Sequence, residues 1–483
     1  HIAISDISKL SLMRNLKTIT KKNIELHAAK VSQISEFIEK LLKDNKTTIK
    51  SIKEKNVKEE KEKKERTKTF DSDLADAGEV LEKPPEEEIE ALENESRHSG
   101  MMRHFPIDVF QTGSGTSTNM NMNEVISNIA CKSTGKKIGA KDPIHPNDHV
   151  NMGQSSNDTF PTAMQIAACI EIKNILIPGL KQLRKSLKTK AKKWDKIVTI
   201  GRTHLMDATP IRMGQIFSGY EAAIDYGILR AERAMMRLAE NMPIGGTAVG
   251  TGMNTHHKFA SMVCKELKKS TRITFQESRN HFEAQATRDC VVEAHGELKT
   301  IAISMSKIAN DIRLLGSGPR CGLFQLSLPA IQPGSSIMPG KVNPVVPESI
   351  MQVFCQVAGN DTTITTASSG GIGSIFELNL CMPLIADRLI NSILILGNSA
   401  VMFDEKLVQG LEVNKEIAEG FVEESLMVGT ALAPVIGYDM AAKVAKDAFK
   451  SGETIRECIL RQGLLDEEEL NELLDFKSMT EAY

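Results

Sequence analysis

The sequence predicts an all-α protein built around a long central helical bundle. Two observations carry this. Apolar residues recur at intervals of three and four over long stretches, which is the period of one helix face. Few stretches alternate with the period of two that marks a strand.

Taken in order, residues 1–47 read as helical, with Leu10, Met13, Leu16 and Ile19 on one face and Val31, Ile34, Ile38 and Leu41 repeating the pattern. Residues 48–100 differ. Lys53 to Lys68 is almost wholly charged, and Glu79 to Glu95 is acidic around Pro84 and Pro85. So polar a segment buries too little apolar surface to offset its ordering entropy, and it reads as a linker or a solvated insert. From Met101 long helical patterns alternate with short polar loops. Leu180, Leu183 and Leu187 share a stripe that Ala191 and Trp194 continue. Leu298, Ile301, Ala302, Met305, Ile308, Ala309, Ile312 and Leu315 step by three and four without a break, as packing in a long bundle requires. Residues 385–400 and 430–450 are also expected to be helices. The division expected is 101–158 as the rest of an N-terminal domain, 159–410 as the bundle and 411–483 as a small helical domain. Beginning at His1 rather than Met, the chain reads as a fragment or a processed form.

Composition excludes several classes of function. A net charge of −2 gives no general attraction to nucleic acid or to an anionic membrane, and 4% aromatic residues offer few platforms for stacking bases. The apolar run from Ile390 to Leu396 is too short to cross a bilayer, so no membrane is expected as a partner. None of the eight cysteines lies in a C-x-x-C pair, so buried reduced thiols in a cytosol-like compartment are expected rather than a disulfide framework. No His, Asp and Glu set has metal-ligand spacing, and no metal or cofactor is expected.

Five small, polar, glycine-bearing loops interrupt the helices: 111–119, 145–157, 201–204, 245–252 and 334–344. Glycine lets backbone donors approach an anion closely. Each loop alone has a plainer reading. Ser156 or Asn157 could cap a helix beginning near Thr159, and 245–252 could be a tight turn that lacks a phosphate-binding G-x-x-x-x-G-K-[ST] pattern. Five together, rich in hydroxyls and amides but poor in positive charge, point to a shared site for a small anion.

The fifth loop, Gly334-Ser335-Ser336-Ile337-Met338-Pro339-Gly340-Lys341-Val342-Asn343-Pro344, closely resembles the signature of the fumarase/aspartase superfamily, and the first three loops resemble its other regions in order. The resemblance covers roughly 101–483. It implies a three-domain fold with a long central helical bundle, a homotetramer, and active sites that each draw loops from three chains. Within the superfamily, Thr203-His204, Gly340, Asn254-Thr-His256, His281-Phe-Glu-Ala-Gln-Ala-Thr287 and Phe376-Glu-Leu-Asn379 resemble the fumarase branch. Pro344-Val-Val-Pro-Glu348 and Gly359-Asn-Asp-Thr-Thr363 resemble the aspartases. His204 weighs more because it bears on the chemistry. Hydration of fumarate to malate therefore leads, with ammonia addition as the alternative and a non-catalytic protein that keeps the lyase fold as a remoter one.

The resemblance also assigns residues. Ser335 is the implied base, which removes a proton beside a carboxylate. Its alkoxide needs local donors, which the loop's N–H groups and Lys341 could supply. Lys341 and Asn343 would stabilise the aci-carboxylate. His204, partnered by Glu348, would act on the opposite face of a small dicarboxylate. Ser114, Gly115, Thr116, Ser155, Ser156, Asn157, Thr203 and Ser336 would bind the carboxylates. A second dicarboxylate site is implied at His145, Pro146, Asn147 and Asp148, where Asp142 would repel an anion. His149, His256, His257, His281 and His295 read as structural or exposed. The family's Gly-Ala-Gln-Thr segment has no counterpart here, so a truncated or altered first domain is expected.

Overall fold

A computed structural model describes residues 101–332 and 334–482. The helices expected over 1–47 and the charged segment over 48–100 lie outside the described residues.

The described residues fall into two compact units, one taking those up to Asp108 together with Asn121–Ile144 and the other Val109–Met120 together with those from His145 onward. In the first, Asn121 Nδ2 donates to the carbonyl of His104 at 2.7 Å and Ser127 Oγ to that of Ile144 at 2.6 Å. Asp142 forms an ion pair with Lys136, so its charge is already partly neutralised. Helix α1 is Thr116–Ser133.

The second unit holds the bundle. Helix α2, Ser156–Glu171, passes through one wider turn at Ile172–Leu176 into α3, Ile177–Lys193. A hairpin of β1, Val198–Thr203, and β2, Met206–Arg212, leads to α4, Met213–Ala239. After α5, Phe259–Thr271, and the short α6, His281–Ala286, come α7, Asp289–Leu315, and α8, Val345–Ser368. Helix α9 is Met382–Lys406. The long helices close a ring: α3 packs on α4, α4 on α7, α7 on α8, α8 on α9 and α9 on α3.

The expected stripes face the centre of this ring. Leu180, Leu183, Leu187, Leu298, Ile301, Ile308 and Ile312 are buried, and Trp194 meets Phe217 edge to face with ring centroids 4.7 Å apart. Burying each large apolar side chain contributes about 1.5–3 kcal/mol. Where α3 crosses α9 the backbones touch, and a Cβ on Gly179 would lie 2.6 Å from the carbonyl oxygen of Gly397. Only glycine permits that approach.

Two expectations need correction. Ser156–Lys193 and Met382–Gly410 are long and apolar enough to cross a membrane by length and composition, although the run at 390–396 alone is not. Their apolar windows are 72% buried within the protein, as core helices require. The helix expected over 430–450 is broken. A tight helical segment, Leu426–Leu432, and a short turn, Ala433–Ile436, end at Gly437, whose φ of +83° stops the run before α11, Tyr438–Ser451. Helix α10, Lys415–Glu424, precedes them, and α12, Ile455–Gln462, and α13, Glu467–Leu473, follow. Val422, Val428, Leu432, Val444, Ile459 and Leu470 give this end its own core. Three two-stranded pairs supply the strands among the described residues: β1–β2, β3 (Leu326–Ser327) with β6 (Glu412–Val413), and β4 (Ser374–Ile375) with β5 (Leu378–Asn379).

Candidate active site

The first, second and fourth polar loops meet within the single chain. At the start of α1, Gly115 turns the backbone with a φ of +75°, and Ser114 Oγ lies 2.8 Å from Thr116 Oγ1. The loop is fixed from below, where the Met382 N–H donates to the carbonyl of Gly113 at 3.0 Å. Three residues into α1, Asn119 Nδ2 donates to Asn151 Oδ1 at 3.0 Å and to Ser156 Oγ at 3.1 Å, which ties the first loop to the second.

Ser155, rather than Ser156 or Asn157, caps α2. Its Oγ accepts the Asn157 N–H at 3.2 Å, and Asp158 reaches back to the Ser155 N–H at 2.9 Å, a reciprocal capping box. With that lone pair occupied, the Ser155 O–H is available to donate to an anion. The fourth loop is more than a turn. The N–H groups of Gly245 and Thr247 donate to Asp158 Oδ2 at 2.9 Å each, and Asn157 Nδ2 donates to the carbonyl of Ala248 at 2.8 Å. Burial pushes the Asp158 carboxyl up from the usual carboxylate range, against the opposing pull of these donors.

The third loop is a hairpin tip. Thr203 pairs with Met206, leaving His204 and Leu205 as a two-residue turn with φ of +58° and +63°. Such a turn matches the twist of its strands but normally selects Gly or Asn, so two ordinary side chains here carry a backbone cost. At its base Arg202 donates to Gln325 Oε1 at 2.8 Å and stacks over Phe421. Thr203 and His204 are exposed in the single chain.

The fifth loop closes on itself. Asn343 Nδ2 donates to the carbonyl of Gly334, so one of its two amide protons remains for a substrate. Ser335 Oγ accepts the N–H groups of Ile337 at 3.2 Å and Met338 at 2.9 Å. Ser336 and Lys341 are exposed, as is Glu348 in the first turn of α8. Among the described residues, no hydrogen bond or ion pair joins Thr203, His204 or the 334–343 loop to the assembly of the other three loops. None joins His204 to Glu348.

At the His145–Asp148 turn, His145 Nδ1 accepts the N–H groups of Asn147 at 3.2 Å and Asp148 at 3.1 Å. His149 Nδ1 accepts the His145 N–H at 2.8 Å. The donors that an anion would use are spent internally. Of the histidines read as structural, His295 is buried in the bundle and bonded to Asp361 and Ser392, and His281 is held between the Pro243 carbonyl and Glu277.

Residues 29–359 match the family model described as lyase, and residues 429–481 match the one for the fumarase C C-terminus. The chain belongs to the fumarase family of lyases. The match begins at residue 29, so it reaches into a stretch that the loop motifs alone leave outside the family. A mitochondrial fumarate hydratase of Rhizopus oryzae is 49% identical over 405 residues, covering 84% of this chain and 80% of its own. The class II fumarate hydratase of Corynebacterium efficiens is 52% identical over 381 residues, covering 78% of each. The crystal structure of a class II fumarase from Schistosoma mansoni superimposes with a TM-score of 0.75 at 38% identity, covering 80% of this chain and 82% of that one. Within this fumarase fold, sequence reasoning missed Asp158 and the role of Asn119. A Ser-x-x-Asp spacing at 155–158 is a capping-box signal that could have marked the former.

Proposed function

We propose that this fumarase-family chain catalyses the reversible hydration of fumarate to (S)-malate by acid–base chemistry. The observation that carries the proposal is the pair of backbone N–H groups on Ser335 Oγ. A serine hydroxyl is a poor base until its alkoxide is stabilised, and hydrogen bonds to the charged form lower its pKa. Ser335 then takes the proton beside the malate carboxylate. The charge moves onto that carboxylate, where Lys341 and the free amide proton of Asn343 stabilise it. His204, oriented by Glu348, protonates the departing hydroxyl from the other face. Ser114, Gly115, Thr116, Ser155, Ser156, Asn157, Thr203 and Ser336 anchor the two carboxylates.

This reading needs more than one chain. Among the described residues the first, second and fourth loops are bonded together and no hydrogen bond ties the third or fifth to them, and each of these two lies beside exposed apolar side chains: Leu205 at 72% and Met206 at 67%, Ile337 at 84%. Monomeric proteins rarely leave such patches open. A homotetramer with sites shared among three chains would cover them. The same reading takes 159–410 as the bundle domain and 411–483 as a C-terminal domain. A second dicarboxylate at 145–148 would have to displace His145 from the turn's N–H groups. The relatives named mitochondrial favour the matrix in a eukaryote, with the cytoplasm as the site otherwise.

The test follows fumarate absorbance with malate, then with fumarate in water, then with ammonium added. Turnover without ammonium is expected. Fumarate loss that requires ammonium would favour aspartase chemistry, and no turnover in either would leave a lyase fold without the activity.

A further inference from the structure

Asp158 is fully buried in the first turn of α2, and its two oxygens serve two different loops. Oδ1 accepts the N–H of Ser155 at 2.9 Å and the hydroxyl of Thr159 at 3.3 Å. Oδ2 crosses 87 and 89 positions of sequence to accept the N–H groups of Gly245 and Thr247. A first-turn carboxylate ordinarily reaches only its own cap. Asn157 adds a bond in the reverse direction, to the Ala248 carbonyl. From behind, the buried Gln285 Nε2 holds the carbonyl of Thr247 at 2.9 Å. The 155–158 turn is therefore tied to the glycine loop by three hydrogen bonds.

We propose that Asp158 is a positioning residue for the carboxylate subsite at 155–157, and that the 245–252 loop is the wall of that subsite and sets its affinity. The proposal rests on reading 155–157 as substrate-binding. Asparagine at 158 keeps the size but offers a single acceptor oxygen, and it turns an amide N–H₂ toward one set of N–H donors. One of the two loops must then come loose, because a buried donor left without an acceptor is costly.

The comparison that tests this is Thr162→Val. Thr162 Oγ1 accepts the Ile244 N–H at 3.0 Å and donates to the Asp158 carbonyl at 2.8 Å, so it joins the same two segments behind the subsite. KM and kcat for malate are measured for both variants together with thermal midpoints. Asp158→Asn is expected to raise KM about tenfold or more with kcat changed less than about threefold, the pattern of lost uniform binding. Thr162→Val removes a bond to Ile244, outside the 245–252 loop, and leaves the Asp158 bonds to Ser155, Thr159, Gly245 and Thr247 in place, so it is expected to lower the thermal midpoint and leave KM unchanged. If Asp158→Asn fails to fold, Gln285→Met, which frees the loop from the far side, is judged by the same rise in KM. An unchanged KM in the folded variant, or an equal rise in Thr162→Val, overturns the proposal. A wild-type chain that does not turn over malate overturns the substrate reading and this proposal with it. An active wild type with unchanged KM in the variant overturns this proposal alone.

Discussion

Ser335 and His204 are held in place by very different local means. Ser335 sits in a loop whose ends are joined by Asn343 and Gly334, and its oxygen is the acceptor for two following N–H groups. Removing that oxygen leaves the closure intact, so Ser335→Ala should fold and assemble normally while losing about 10²–10⁴-fold in kcat, the usual contribution of an acid–base group. His204 occupies a left-handed position in a two-residue turn. His204→Asn is the informative change there, because Asn tolerates that backbone and removes only the imidazole. A comparable loss in kcat is expected from steady-state assays, with unchanged far-ultraviolet circular dichroism. Replacing His204 with a β-branched residue would confound chemistry with strain. At this scale the sequence itself places Ser335, Lys341 and Asn343 in one short loop, because they lie close together along the chain, while their roles rest on the family resemblance. Asp158 was not legible, because what distinguishes it is a pair of donors almost ninety residues away.

Among the elements, the ring of long helices follows from periodicity, and the stripe from Leu298 to Ile312 is buried along its length. The spacing of apolar residues records which face is inward, but it does not record which helix lies opposite. The Gly179–Gly397 contact is of that second kind. Gly179→Ala should push α3 from α9 and cost about 1–3 kcal/mol, readable as a lowered denaturation midpoint. The β1–β2 hairpin escaped sequence reading for a related reason. Its strands are of ordinary length but do not alternate cleanly, and elements at the far end of the chain, α10 and the 426–432 segment, pack against it. A polar network crosses three helices of the ring: His295 on α7 lies 2.9 Å from Asp361 on α8 and 2.8 Å from Ser392 on α9. The hydrogen bond from His295, with further help from Lys299, holds the Asp361 carboxyl below the usual carboxylate range. A depressed carboxylate contributes stability above the unfolded value of about 3.9 and loses it as pH falls through the folded value. The wild type should therefore lose stability on acidification from neutral pH to about pH 3, and Asp361→Asn should lose less over the same interval. Urea denaturation at each pH measures both. Equal pH dependence in the two proteins would remove Asp361 from the account.

For the whole molecule, the decisive matter is that, among the described residues, no hydrogen bond or ion pair ties the hairpin tip at 203–204 or the 334–343 loop to the three loops that meet. If the hairpin bearing His204 and the loop bearing Ser335 serve a common site only when they come from different chains, two inactive variants should repair each other. Ser335→Ala chains supply a native His204, and His204→Asn chains supply a native Ser335. Random reassembly of an equal mixture should place both native groups together in about one quarter of the sites, since each is drawn independently with a chance of about one half. The experiment denatures the two purified variants together, refolds the mixture and assays malate turnover against each variant refolded alone. About a quarter of wild-type activity is expected in the mixture and almost none in either parent. Were both groups drawn from one chain, each site would carry one of the two defects whatever the mixing, and no activity would return. The mixture therefore separates shared sites from self-contained ones by a change in kind, without depending on the absolute rate of either variant.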